Sequence, residues 1–199
     1  MAKSVLAYAR RYAGGGWTVL PLHSMDEDGK CTCGEGDCSP AKHPLTVSGL
    51  KDGSADLEQI DRWWAQWPYA NVGIVTGIIS GLVVLDVDPR HGGVESLNRL
   101  EEKIGNLPTT VKALTGSGGF HIFFQHPGGT VRNAVGMAGY LGLDIRGDGG
   151  YVVAAPSIHQ TGGEYKWLVP PFVTELAPYP PEIAALTTNT DSSRIATLQ

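Results

Sequence analysis

The chain has 199 residues, a formal charge of −5 and a mean hydropathy of −0.08. A hydrophobic share of 42% supplies a sizeable core and excludes general disorder. Twenty-seven glycines and thirteen prolines exclude a plain helical bundle and favour strands joined by many turns. The acidic total speaks against DNA binding driven by bulk charge. The longest apolar run, Ile78–Val87, is broken by Ser80, Gly81 and Asp86. It falls far short of the ~20 residues that a membrane span needs. Lys3, Arg10 and Arg11 interrupt any signal-peptide core, so a cytoplasmic protein is expected.

In chain order, Ser4 caps a helix through about Ala13, with Val5, Tyr8 and Tyr12 on one face and Gly14 as its stop. Trp17–Leu22 reads as a strand. The segment His23–Leu45 has almost no apolar periodicity and holds all three cysteines. Ser54 or Asp56 caps a second helix, with Leu57, Ile60, Trp63, Trp64 and Trp67 as its core stripe and Pro68 as its end. Strands follow at Asn71–Thr76 and Leu82–Asp88, then a helix at Gly93–Ile104. Val111–Thr115, Gly119–Gln125, Tyr140–Arg146, Tyr151–Ala154 and Glu164–Leu168 read as further strands. Pro180–Leu186 is a last helix. The domain is expected over residues 1–186, with 23–45 as an inserted metal-binding loop and 187–199 as a polar tail or the start of a linker.

The segment Leu-Val-Val-Leu-Asp-Val-Asp (82–88) is the most informative. Four apolar residues fit a buried strand, and carboxylates at i and i+2 share one face of it. Two such charges repel unless a cation sits between them, and magnesium suits that position. In the bland reading one aspartate merely caps the next helix. A second apolar segment, Tyr140–Leu143, also ends in a carboxylate, Asp144. Three converging carboxylates are the usual protein contribution to a two-metal phosphoryl-transfer site. Asp148 competes with Asp144, but Gly147, Gly149 and Gly150 around it mark a turn.

Residues 115–124, Thr-Gly-Ser-Gly-Gly-Phe-His-Ile-Phe-Phe, couple a glycine loop to a strand. The glycines let backbone N–H groups approach an anion. His121 shares a face with Gly119 and Phe123. It is equally readable as a satisfied core histidine or as a donor to phosphate.

Cys31-x-Cys33-x4-Cys38-x4-His43 uses every cysteine. Structural disulfides are rare in the cytoplasm, and three thiolates with one imidazole make a closed tetrahedral zinc site. Three free thiols are the alternative, although this segment offers no core to bury them. His23 is the substitute for His43.

The order Leu-Asp-Val-Asp, Ser-Gly-Gly-Phe-His, then Leu-Asp-Ile-Arg-Gly-Asp-Gly-Gly-Tyr-Val-Val-Ala-Ala-Pro-Ser resembles the bifunctional primase–polymerase domain of the archaeo-eukaryotic primase superfamily. The residues Asn71–Gly77, Pro156–His159, Gly162-Gly163 and Tyr165–Trp167 add to the likeness, which spans roughly residues 5–170. The resemblance implies an α+β fold of two lobes, with an RRM-like catalytic sheet and a small zinc loop. It implies Asp86, Asp88 and Asp144 as ligands of two magnesium or manganese ions and His121 as a contact to the incoming triphosphate. Some relatives carry Glu where this chain has Asp88. Lys112, Ser117, Gly118, Gly119, Arg146, Ser157 and His159 are the further nucleotide-binding candidates. Lys42 lies in a Lys-x-Pro segment like the family's and is expected to face nucleic acid. The implied partners are a single-stranded DNA template, a primer and nucleoside triphosphates, with a helicase domain in a longer parent chain. Two other functions fit the residues: a non-catalytic single-stranded nucleic-acid-binding module, and a metal-dependent phosphodiesterase using the same acidic cluster.

Overall fold

The computed structural model describes residues 4–187. In chain order the elements are α1 (Val5–Gly14), β1 (Val19–Leu22), a 3-10 turn (Gly49–Asp52), α2 (Leu57–Gln66), β2 (Asn71–Val75) and β3 (Leu82–Val87). A second 3-10 turn (Pro89–His91) leads to α3 (Gly93–Ile104), β4 (Lys112–Leu114), β5 (Phe120–Gln125), β6 (Leu143–Arg146), β7 (Tyr151–Ala154), β8 (Lys166–Val169) and β9 (Ala177–Pro178). A final helical segment covers 181–187. The polar tail expected over 187–199 lies outside the described residues beyond its first position.

The strands form two sheets in a mixed α+β fold. The smaller is antiparallel, in the order β1-β2-β7. The larger runs β6-β3-β5-β4-β8, and β9 adds in parallel to the stretch of β5 that β4 leaves uncovered. Strand β9 escaped the sequence reading because it is two residues long and half proline, a residue confined to sheet edges.

Side-chain alternation on β3 divides the interior. Leu82 and Val84 enter the core built by α1, α2 and the small sheet, with Tyr12, Ile60, Trp63 and Trp64. Val83, Leu85 and Val87 point the other way, into the core under α3 with Leu97, Leu100 and Phe124. Both faces of β3 are therefore buried over most of its length, which explains its continuous apolar run. Asp86 continues the Leu82–Val84 face at the point where that face opens into a cleft.

Helix starts follow the expected capping chemistry. Ser4 Oγ accepts from the Ala7 N–H at 3.4 Å, and Asp56, rather than Ser54, caps α2 by accepting from the Glu58 N–H at 3.0 Å. Leu57, placed on the α2 core stripe by its spacing, is 40% exposed instead. The largest correction concerns Tyr140–Arg146. The strand begins only at Leu143, because Gly139 (φ 80°) and Gly142 (φ 74°) take left-handed turns that break extended backbone.

Candidate active site

Pairing in the larger sheet sets three polar side chains on one rung. Asp86 on β3 is the register partner of Asp144 on β6 on one side and of His121 on β5 on the other. Cross-strand partners share a face, so residues far apart in sequence become neighbours. Two carboxylates directly opposed would repel. Arg146, two residues beyond Asp144 on the same face, relieves this: its Nη2 lies 2.8 Å from Asp144 Oδ2 and 3.4 Å from Asp86 Oδ2. His121 Nε2 lies 3.5 Å from the other Asp86 oxygen. Burial alone would push the Asp86 carboxyl up, but His121 and Arg146 outweigh it and hold the group below its ordinary value.

Asp88 occupies the same cleft by a different route. Strand β3 ends at Val87, and Asp88 instead opens the Pro89–His91 turn, accepting from the Arg90 N–H at 3.0 Å. The Arg90 side chain grips both its oxygens, at 3.0 and 2.7 Å, and His91 Nδ1 lies 3.0 Å away. The Arg90 guanidinium is the main reason that Asp88 sits far below the usual carboxylate range. Gly93 seals this corner. A Cβ there would sit 2.6 Å from the carbonyl oxygens of Asp88 and Gly142, so only glycine fits.

These side chains line a cleft of about 550 Å³, which sets Lys42, Arg90 and Arg146 against Asp86, Asp88 and Asp144. Ser117, His121 and Tyr165 also reach it, and burial raises the Tyr165 hydroxyl pKa. Thr115 Oγ1 holds the glycine loop by accepting from the Gly119 N–H at 2.9 Å, and it lies 3.1 Å from Ser117 Oγ. Gly119 passes so close to Val87 that a Cβ would lie 2.1 Å from the Val87 carbonyl oxygen. Gly118 stands exposed at the loop tip with φ 86°.

Lys112 and Ser157 lie away from the cleft, and His159 lies behind its wall, with its ring 6.3 Å from that of Tyr165. Lys112 pairs with Ile122 and so takes the sheet face opposite His121, with its amine 4.0 Å above the Phe120 ring centroid. Ser157 is fully buried beneath the small sheet, where its Oγ accepts from the Val72 N–H at 2.9 Å. His159 is 1% exposed and packs behind Gly116, whose Cβ would lie 2.3 Å from that of His159. Asp148 is the turn residue its glycines suggest. Its carboxylate accepts from the Ile78 and Val131 N–H groups, both at 2.8 Å, and His126 Nε2 lies 3.4 Å away. Sequence reasoning missed Arg90, because an Asp-x-Arg spacing says nothing about chelation until the turn brings the two together. It also missed Val135 and Leu141, which stand 81% and 74% exposed at the cleft edge.

A second cluster lies at the chain segment that supplies Lys42. One ligand atom each of Cys31, Cys33, Cys38 and His43 falls within 4.8 Å of the others. His43 Nδ1 donates to the Ser39 carbonyl at 2.9 Å, which leaves the Nε2 lone pair for a metal. His23 stacks on His43 with centroids 4.3 Å apart and stands outside the cluster. The sulfurs of Cys33 and Cys38 are 3.5 Å apart. Desolvation and the neighbouring sulfurs push Cys38 up to about 12. A Cys3His set at this spacing fits a structural metal ion, and its sulfur-rich chemistry favours zinc.

Fold and site together define a class: an α+β domain that brings strand carboxylates, basic side chains and a separate Cys3His cluster to one region of its surface. The family model for the N-terminal domain of bifunctional DNA primase/polymerases, Prim-Pol, matches residues 9–182, and the chain belongs to that family. The family works on nucleic acids. A search of the curated proteins finds no match. Among the described residues no helix is long and apolar enough to cross a membrane.

Proposed function

We propose that the chain is a template-directed nucleotidyltransferase, a primase–polymerase that starts and extends primers on single-stranded DNA. The observation that carries this reading is the rung Asp144–Asp86–His121, flanked by Arg146 and sharing one cleft with Arg90 and Lys42. A non-catalytic binding module has no use for opposed carboxylates that repel, and a phosphodiesterase has less use for cations gathered at the same place. The RRM-like reading of the larger sheet draws support from its antiparallel order β6-β3-β5-β4, with α3 crossing between β3 and β4. The link from β5 to β6 departs from that pattern, since turns replace a second helix.

Asp86 and Asp144, with Asp88 at the rim, are the hard oxygen donors that magnesium or manganese takes. Such ions, when bound, acidify a primer 3′-hydroxyl and stabilise the charge on departing pyrophosphate. The protein's own work is positioning. Arg90 and Arg146 neutralise the carboxylates in the free protein and lie close enough to hold phosphate oxygens. His121 buttresses Asp86 and presents an imidazole beside the glycine loop. Lys42 brings a further positive charge to the same cleft. Base selection then falls to pairing with the template, so the protein requires backbone contacts more than base readout. The Cys3His cluster serves as the zinc loop of this domain, within a single unit over 1–186.

The test is extension of a labelled primer on single-stranded template with deoxynucleoside triphosphates and magnesium or manganese. Template-dependent growth is expected. Shortening of the primer would assign a phosphodiesterase, and binding without change would assign a non-catalytic module.

A further inference from the structure

Lys42 differs from the other cleft cations. Arg90 is tied to Asp88 and Arg146 to Asp144, whereas among the described residues no carboxylate closes an ion pair with the Lys42 amine. Lys42 is thus a cleft cation held near the Asp86 and Asp88 charges without an ion pair of its own among the described residues. Its placement depends on a short and strained piece of chain. Ala41, just before it, is buried and takes a left-handed backbone (φ 60°), a conformation that L-residues rarely adopt. That turn aims the Ala41 N–H at the Cys31 sulfur and its carbonyl at Asn71 Nδ2, 3.1 Å away. The next side chain lines the cleft. The donors Cys38 and His43 bracket Ala41 and Lys42 in sequence, and His43 directly follows Lys42.

We propose that a metal ion held by Cys31, Cys33, Cys38 and His43 acts on the cleft through Lys42, closing the Cys38–His43 loop so that the Lys42 amine is fixed where it grips the triphosphate. The proposal rests on the nucleotidyl-transfer reading for the identity of the ligand. The ion joins both ends of a six-residue loop, so the residues between its donors have little room to move. Without the ion, three crowded thiols no longer hold the left-handed turn, and the amine loses its fixed position. Tyr151 Oη donates to the Lys42 carbonyl at 3.1 Å, Asn71 holds Ala41, and the His23 N–H donates to the His43 carbonyl at 2.9 Å, but the cysteine side is tied only within the loop, where the Ser39 carbonyl accepts from the Lys42 N–H at 3.3 Å and from His43 Nδ1 at 2.9 Å. The cluster is thus a positioning device for the cleft, and Lys42 is its point of action.

The experiment compares the full chain loaded with zinc and the same chain stripped and dialysed under reducing conditions. Two measurements are made on each: amide hydrogen exchange, and equilibrium binding of dATP with calcium, which supports binding without turnover. Stripping is expected to speed exchange at residues 41–45 while β3 and β5 stay protected, and to weaken dATP binding about tenfold. Lys42→Gln in zinc-loaded protein should lose the same factor, and stripping zinc from that variant should cost nothing more. Lys42→Arg should keep most of the affinity. Additive losses, unchanged exchange at 41–45, or loss of protection in β3 and β5 would each overturn the proposal, the last because the ion would then support the whole fold. If zinc-loaded protein binds dATP equally well after stripping, this inference alone fails. If zinc-loaded protein shows no dATP binding at all, the polymerase reading fails with it.

Discussion

Asp86 and Asp144 face one another as cross-strand partners, and a single nitrogen of Arg146 lies 3.4 Å from one and 2.8 Å from the other. The free protein thus carries its own counter-ion at the place where the proposed chemistry needs divalent metal. The Asp86 carboxyl is held below its ordinary value, and the repulsion between the two carboxylates is relieved by the shared guanidinium.

Replacing Asp86 or Asp144 by Asn should cut nucleotide incorporation about a hundredfold or more, because each supplies oxygens that an amide replaces poorly. The melting temperature should stay within about 4 °C of the parent, since the change also removes a like-charge contact. Primer extension and thermal melting on the same samples check both. A folded Asp144→Asn protein with near-normal extension would remove Asp144 from the metal set.

Arg146→Gln should separate metal binding from nucleotide binding. With the guanidinium gone, manganese no longer competes with it for the two carboxylates, and affinity for the free protein should rise about fivefold. Affinity for a nucleoside triphosphate should fall about tenfold, because one phosphate-holding cation is lost. Electron paramagnetic resonance counts unbound manganese directly. A fall in manganese affinity would show that Arg146 is not the resident counter-ion.

Asp148→Asn tests the competing carboxylate and carries a pH signature. In the parent, burial pushes Asp148 up, but the N–H groups of Ile78 and Val131 and the ring of His126 more than offset it. Its folded value therefore lies below the ordinary 3.8. A group shifted this way adds stability above its unfolded value and loses it as pH falls through the folded one. The variant cannot accept from both N–H groups, so it should lose about 2 kcal/mol at pH 7, and the gap should shrink below about pH 4. Chemical denaturation at several pH values reads this. The folded variant should still extend primers.

Ser157→Ala should lower stability by about 1 kcal/mol, by stranding the Val72 N–H, and leave triphosphate affinity unchanged. Calorimetric titration beside a denaturation curve decides the matter. A clear loss of nucleotide affinity with unchanged stability would return Ser157 to the cleft.

Local features of this protein are legible from its residues because their causes are local. Ser4 and Asp56 announce helix starts, the Ile60, Trp63 and Trp64 stripe announces a buried face, and Leu82–Val87 announces a buried strand. The Cys3His spacing marks its cluster because a short chain segment keeps its own ligands close. The acidic, glycine–histidine and Asp-Ile-Arg segments, in that order, carry the resemblance read from the sequence, and the family model matches the stretch 9–182 that contains them. Tertiary structure alone decided how those segments combine. Strand pairing, which depends on contacts distant in sequence, set Asp86 between Asp144 and His121. Side-chain alternation about that same pairing sent Lys112 to the opposite face, and packing of the small sheet took Ser157 out of reach. The grip of Arg90 on Asp88 needed the turn that follows β3, and only the folded chain shows Lys42, next to the left-handed Ala41, lining the same cleft as the carboxylates. Residue type determines what each group can do, but register and turn geometry determine which groups meet, and neither is written in any single segment of the chain.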